Sequence, residues 1–117
     1  MRSTSVYLAG PMRGYPEYNF PLFFKVTEKL ESLGFIVHNP AARDIVSDGF
    51  NPKKDQAKEL KHYMYYDLPM VCTSDMLVVL PNWEFSQGAR LEVHVANECK
   101  IPVYPVELLL NGTIKGV

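Results

Sequence analysis

An α/β domain on a small doubly wound parallel sheet is the fold class this sequence predicts, from three observations. Met76-Leu77-Val78-Val79-Leu80 is apolar without alternation, as in a strand buried on both faces, which is the parallel-sheet pattern. Strand-like runs alternate with segments of helical period. The break after the first strand, Gly10-Pro11-Met12-Arg13-Gly14, has the composition of a βα loop, and open α/β sheets bind ligands at such loops.

Taken in order, Ser5-Val6-Tyr7-Leu8-Ala9 reads as a buried first strand. A helix is predicted from Asn19-Phe20-Pro21, with Pro21 in the first turn, where its missing N–H costs nothing. Phe20, Phe23, Val26, Leu30 and Leu33 recur at steps of three and four, and Gly34 stops the run. Phe35-Ile36-Val37-His38 is the second strand, ended by Asn39-Pro40, with His38 a structural or idle residue at its end. From Ala41 to Phe50 the expectation is an irregular loop or a short helix.

Asn51-Pro52 carries an N-cap and first-turn signature, so the next helix is expected to begin there, with Ala57, Leu60, Met64, Leu68 and Val71 on one face. Asp67 falls on or beside that face, where a charge is costly unless it is paired or functional. Pro69 removes a backbone bond, and the helix is expected to bend or end near Asp67. Tyr63, Tyr65 and Tyr66 cannot all enter one core, which leaves some for a cleft or a subunit contact. Asp75 precedes the third strand, Met76 to Leu80, and Ile101-Pro102-Val103-Tyr104 makes a fourth. Val106 to Leu110 reads as a fifth strand or a short helix, and Asn111-Gly112 turns the chain into a polar tail. The order is that of a Rossmann-like, flavodoxin-like three-layer α/β/α fold with four or five strands.

Between the third and fourth strands lies Ser86-Gln87-Gly88-Ala89-Arg90-Leu91-Glu92, opening a segment of helical character up to Lys100. Ser86 is a candidate N-cap, and the free N–H groups of a helix start suit an anion. Gly88 removes a side chain where a ligand would approach, and Glu92 lies one turn further on the same face, flanked by Ala89 and Ala96. Glu92 is thus either a solvated helical glutamate or a carboxylate over a small-residue floor. Arg13 is likewise either a solvated loop residue or a cation for the same ligand, because right-handed crossovers bring its loop and the Ser86 loop to one edge.

Composition narrows the function classes. The 117 residues fit one domain, 1–117, with one core; 47% are hydrophobic and 21% charged. The net charge of −1 and the lack of a Lys/Arg tract argue against a nucleic-acid polymer as partner. No apolar run reaches membrane-spanning length, and no signal-peptide core precedes the first strand, so the expected compartment is the cytoplasm. The two cysteines, Cys72 and Cys99, are too few for a disulfide framework or a structural zinc site. No Gly-Lys-Ser/Thr follows the first strand, which excludes a Walker loop.

Tyr7-Leu8-Ala9-Gly10-Pro11-Met12 resembles the opening motif of the nucleoside 2-deoxyribosyltransferase superfamily. The Ser86–Glu92 stretch, followed by Ala96 and Lys100-Ile101-Pro102-Val103, is similar to its second motif, and Asp67 and Asp75 fall at family-like spacings from Glu92. The likeness runs from Ser5 to Tyr104, and the Leu80-Pro81-Asn82-Trp83 turn most resembles a short branch carried by phages and bacteria. The resemblance implies a double displacement at a deoxyribose anomeric carbon with Glu92 as nucleophile. Asp67 would orient it or help the base leave, and Tyr7 would hold it. Gly10, Pro11, Met12, Arg13, Asn82, Trp83, Ser86 and Gly88 would bind the nucleotide.

Ser86 and Arg13 match the nucleoside 5′-monophosphate hydrolase branch, in which a serine stands where transferases carry an acid. Pro11 replaces a hydroxyl residue of that branch, and the C-terminal tail lacks an obvious serine to lend to a neighbouring subunit. The implied activity is N-glycosidic hydrolysis of a deoxynucleoside 5′-monophosphate, with deoxyribosyl transfer or nucleotide binding without catalysis as alternatives. The implied partners are a small nucleotide or nucleoside and further copies of the chain, with no cofactor and no metal.

Overall fold

The computed structural model of the chain describes residues 3–116. Side-chain alternation along its strands builds the layers. All of β1 (Ser5–Ala9) is buried. Val6 and Leu8 meet one cluster, with Phe23 and Leu30 of α1 (Phe20–Ser32) and Val106 and Leu109 of α5 (Val106–Leu110). Tyr7 and Ala9 meet the other, with Val71 of α3 (Leu60–Thr73) and Ala89, Val93 and Ala96 of α4 (Gln87–Glu98). β3 (Met76–Val79) divides in the same way, Val78 toward α1 and α5, Leu77 and Val79 toward α3 and α4. A sheet with different helices packed on its two faces is the predicted three-layer arrangement.

β2 (Ile36–His38) and β4 (Val103–Pro105) complete a sheet of order β2-β1-β3-β4, every pairing parallel. The sheet has four strands because Val106–Leu110 takes the helical alternative, burying Val106 and Leu109 on one side of a short turn. α1 carries the chain from β1 out to β2, and α3 returns it past β1 to β3 on the other face. The switch point therefore lies between the carboxyl ends of β1 and β3, where open sheets leave a crevice.

Three local expectations resolve. The 41–50 segment is the short helix rather than the loop: α2 (Pro40–Asp48) starts on Asn39, whose Oδ1 accepts from Ala41 N at 2.9 Å. Asn51-Pro52 does not start a helix. Asn51 Oδ1 accepts from Lys53 N, and Asp55 Oδ2 accepts from Asn51 N, so the cap chemistry closes a turn, a use of Asn that looks the same in sequence. The helix begins only at Leu60. Pro69 neither ends nor breaks that helix, which continues to Thr73 with Val71 buried in the second cluster. Among the described residues no helix is long and apolar enough to cross a membrane.

Candidate active site

A cavity of about 430 Å³ opens at the switch point, within the roughly 300–1,000 Å³ usual for small-molecule sites. Its lining combines the loop after β1 (Gly10 to Arg13), Asp44 of α2, Asp67 of α3, and Ser86, Gly88 and Glu92 at the start of α4. The two loops expected at one edge thus share one cavity. Tyr18, Phe50, Tyr63 and Phe85 add aromatic surface.

Helical period dictates the position of Glu92. Ala89, Glu92, Val93 and Ala96 form the buried stripe of α4, while Arg90 and Leu91 point out. α4 is fixed at its start by Ser86, whose Oγ accepts from Ala89 N at 3.2 Å, so the expected N-cap is made. Glu92 is 5% exposed, and Tyr7, fully enclosed in β1, donates its hydroxyl to Glu92 Oε2 at 2.8 Å. Glu92 also shares a side-chain hydrogen bond with Asp67. Burial first, then the charge of Asp67, holds Glu92 well above the ordinary carboxylate range, and the Tyr7 bond opposes them. Burial and then the Glu92 charge raise the Tyr7 phenol in turn.

Asp67 is 6% exposed, and its Oδ1 is enclosed with no hydrogen-bond partner. Burial, then the charge of Asp44, pushes it up to about 7, with the Arg43 guanidinium pulling the other way. The Asp67 charge raises Glu92, while a side-chain hydrogen bond between the two raises Glu92 and lowers Asp67, so the two buried carboxyls stand side by side and titrate as a pair.

Of the two glycines in the site, packing requires only Gly10; Gly88 has room for a Cβ at ordinary contact distance. A Cβ on Gly10 would stand 2.7 Å from Leu80 Cβ, so the strand-end packing itself demands glycine there. A Cβ on Gly88 would meet Leu60 Cδ1 at 3.4 Å, where α4 passes α3. Pro11 and Met12 line the wall, and Pro11 O accepts from Asn19 Nδ2 at 2.9 Å. Asn19 follows Glu17 and Tyr18 in the left-handed region, a turn of three non-glycine residues that costs roughly 1–2 kcal/mol for each.

Arg13 lines the cavity but is not free of the protein. It donates to Lys58 O and lies 5.8 Å over the Tyr63 ring. Tyr63 Oη accepts from Lys58 N and Tyr18 Oη from Ala57 N, so cavity residues tie down the segment before α3 at its Ala57-Lys58 end. Asn82 and Trp83 lie outside the lining. Asn82 takes a left-handed turn and donates to Tyr15 Oη at 3.3 Å, and Trp83 packs against the α3/α4 cluster. Asp75 accepts from Ser5 N and Oγ, at the amino end of β1, away from the cavity.

Sequence reading passed over Asp44. It is 4% exposed and lines the cavity, three residues after buried Ala41 on the same face of α2. Arg43 donates to it, is bonded to Asp48 at 3.1 Å and lies 4.3 Å over the Tyr66 ring, while His62 reaches Asp48 at 2.9 Å. Burial raises Asp44 against the pull of Arg43, and the His62 bond holds Asp48 below its usual value. The available signal was the Asn39-Pro40 helix start, which sets the phase of α2. Among the described residues no cluster of His, Cys, Asp and Glu has the form of a metal site.

None of the curated proteins matches this chain. Residues 4–105 match the family described as Domain of unknown function (DUF4406), and the chain belongs to that family.

Proposed function

We propose that this protein cleaves the N-glycosidic bond of a deoxynucleoside 5′-monophosphate through a covalent ester on Glu92. The observation that carries the reading is Glu92 itself: buried, lining a small-molecule cavity, with one oxygen held by Tyr7 and a second carboxyl, Asp67, beside it. In the first step ionised Glu92 bonds to C1′, the C1′–N bond breaks, and its electron pair leaves with the base. Asp67 hands the shared proton to that base. In the second step water bonds to C1′, the ester electrons return to Glu92, and the water proton returns to Asp67. At the other end of the ligand, the hydroxyl hydrogen of Ser86 remains available because its oxygen takes the Ala89 N–H. The start of α4 and the remaining donors of Arg13 would receive the phosphate there.

Incubation with a panel of deoxynucleotides, with free base read by chromatography, tests the reaction. Mass spectrometry of acid-quenched protein should show a deoxyribose-phosphate adduct on Glu92. Transfer would proceed through the same ester with a second base in place of water, so adding a base separates the two. Tight binding without turnover would identify a nucleotide-binding protein instead. The same reading takes the protein to be a cytoplasmic homo-oligomer, with Tyr65, 75% exposed, and Tyr66 on the outer side of α3 as the contact. Light scattering showing only monomer would reject that assembly.

A further inference from the structure

We infer that Asp44 reads the leaving base and selects one that presents an amino group toward it. The inference rests on the glycosidase reading for the orientation of the ligand. Arg43 makes both of its contacts to a single oxygen of Asp44, Oδ1, from Nη2 at 2.5 Å and Nε at 3.2 Å. Among the described residues nothing bonds Oδ2. The enclosed polar atoms without a partner include Asp67 Oδ1 and Arg43 Nη1 but not Asp44 Oδ2, so that oxygen opens onto the cavity that Asp44 lines. The carboxylate is therefore built as a fixed acceptor, anchored on one side and open on the other.

Topology says what meets it. β2 and β3 flank β1 on opposite sides. Asp44 follows β2 and Ser86 follows β3, so the two frame the cavity from opposite ends. A nucleotide with its phosphate at Ser86 and its anomeric carbon at Glu92 extends its base toward Asp44. A phosphate is disfavoured beside Asp44, whose own carboxylate lines the cavity there. An ionised carboxylate accepts and does not donate. The exocyclic amino group of adenine or cytosine supplies the N–H, whereas the keto oxygen of hypoxanthine or uracil sets acceptor against acceptor.

The test is calorimetric binding to Glu92→Gln protein, which removes turnover, at fixed ionic strength, with two matched pairs: dAMP against dIMP and dCMP against dUMP. The amino member of at least one pair should bind about tenfold to a hundredfold more tightly, as expected for a hydrogen bond to a charged group. Adding Asp44→Asn, whose amide can also donate, should level that preference. Equal affinity within both pairs, or a preference that survives Asp44→Asn, overturns the inference. If Asp44→Asn does not fold, the matched pairs on intact Asp44 decide alone. Base release by the wild-type protein is measured separately. A preference without base release keeps Asp44 as a selector and rejects the glycosidase; base release without a preference does the reverse. No binding of any nucleotide rejects both.

Discussion

Helices α3 and α4 lie side by side on one face of the sheet, and each buries one carboxylate, but they hold it differently. α4 is capped by Ser86, and its Glu92 is clamped by a phenol from the central strand. α3 begins with no side-chain cap, carries Pro69 within it, and leaves Asp67 Oδ1 enclosed and unpaired. A nucleophile must be aimed, and a proton carrier must keep an unoccupied oxygen. On the glycosidase reading, that difference would give Glu92 the nucleophile's part and Asp67 the proton carrier's.

The largest expected effect comes from the clamped side. Glu92→Gln should abolish base release while leaving the protein folded. It should also stabilise it. A carboxylate whose folded pKa is raised binds its proton more tightly in the native state, so its contribution is present at low pH and lost as pH rises through the folded value. Glu92 and Asp67 are both raised, Asp67 to about 7. Wild-type Tm should therefore fall between about pH 5 and pH 8, and the fall should be shallower in Glu92→Gln. Full base release in the variant, or a pH slope equal to that of the wild type, would break the assignment.

Asp67→Asn comes next, with base release reduced about 10²- to 10⁴-fold, the usual worth of a placed general acid. The protonated form is the working one, so wild-type rates should fall as pH rises through about 7, and the variant should lose that limb. A variant that keeps it would move the acid elsewhere. Tyr7→Phe should cost less, about tenfold to a hundredfold in kcat, because it removes one hydrogen bond to a charged group without moving the backbone. An unchanged rate would mean that Glu92 needs no aiming.

The contrast between these helices was half visible in the sequence. The α4 stripe and the Ser86 cap follow from spacing alone, since a cap residue, a glycine and small residues at helical steps have one good arrangement. Asp67 was placed on the apolar face by the same period. The start of α3 is not legible because Asn51-Pro52 offers the same chemistry to a turn as to a helix, and the residues before the helix are held by the distant Tyr18, which accepts from Ala57 N, and by Tyr63, which accepts from Lys58 N. Pro69 does not end the helix, because one lost backbone bond is outweighed by burial of Val71 in the turn beyond it. Asp44 stayed hidden for a related reason. Its importance depends on a helix whose existence was left open and on Arg43, whose bonds to Asp44 and Asp48 are tertiary facts.

The smallest effect is expected at Ser86, where two variants separate what the cap does for the helix from what it does for a ligand. Ser86→Ala removes the acceptor of the Ala89 N–H and should cost about 1 kcal/mol of stability, seen as a lowered Tm. Ser86→Asp keeps the cap, since Asp serves there as well as Ser, and its charge suits the positive end of the helix. The same charge faces an incoming phosphate. Ser86→Asp should therefore hold Tm at or above the wild-type value and weaken a deoxynucleoside monophosphate about tenfold or more, the scale of one charge-assisted contact. The corresponding nucleoside should bind as before. Arg13→Ala should show the same selectivity more weakly, because ligand phosphate must compete with Lys58 O for that guanidinium. If Ser86→Asp weakens nucleotide and nucleoside alike, the start of α4 does not receive the phosphate. The capped helix would then differ from its uncapped neighbour in stability alone.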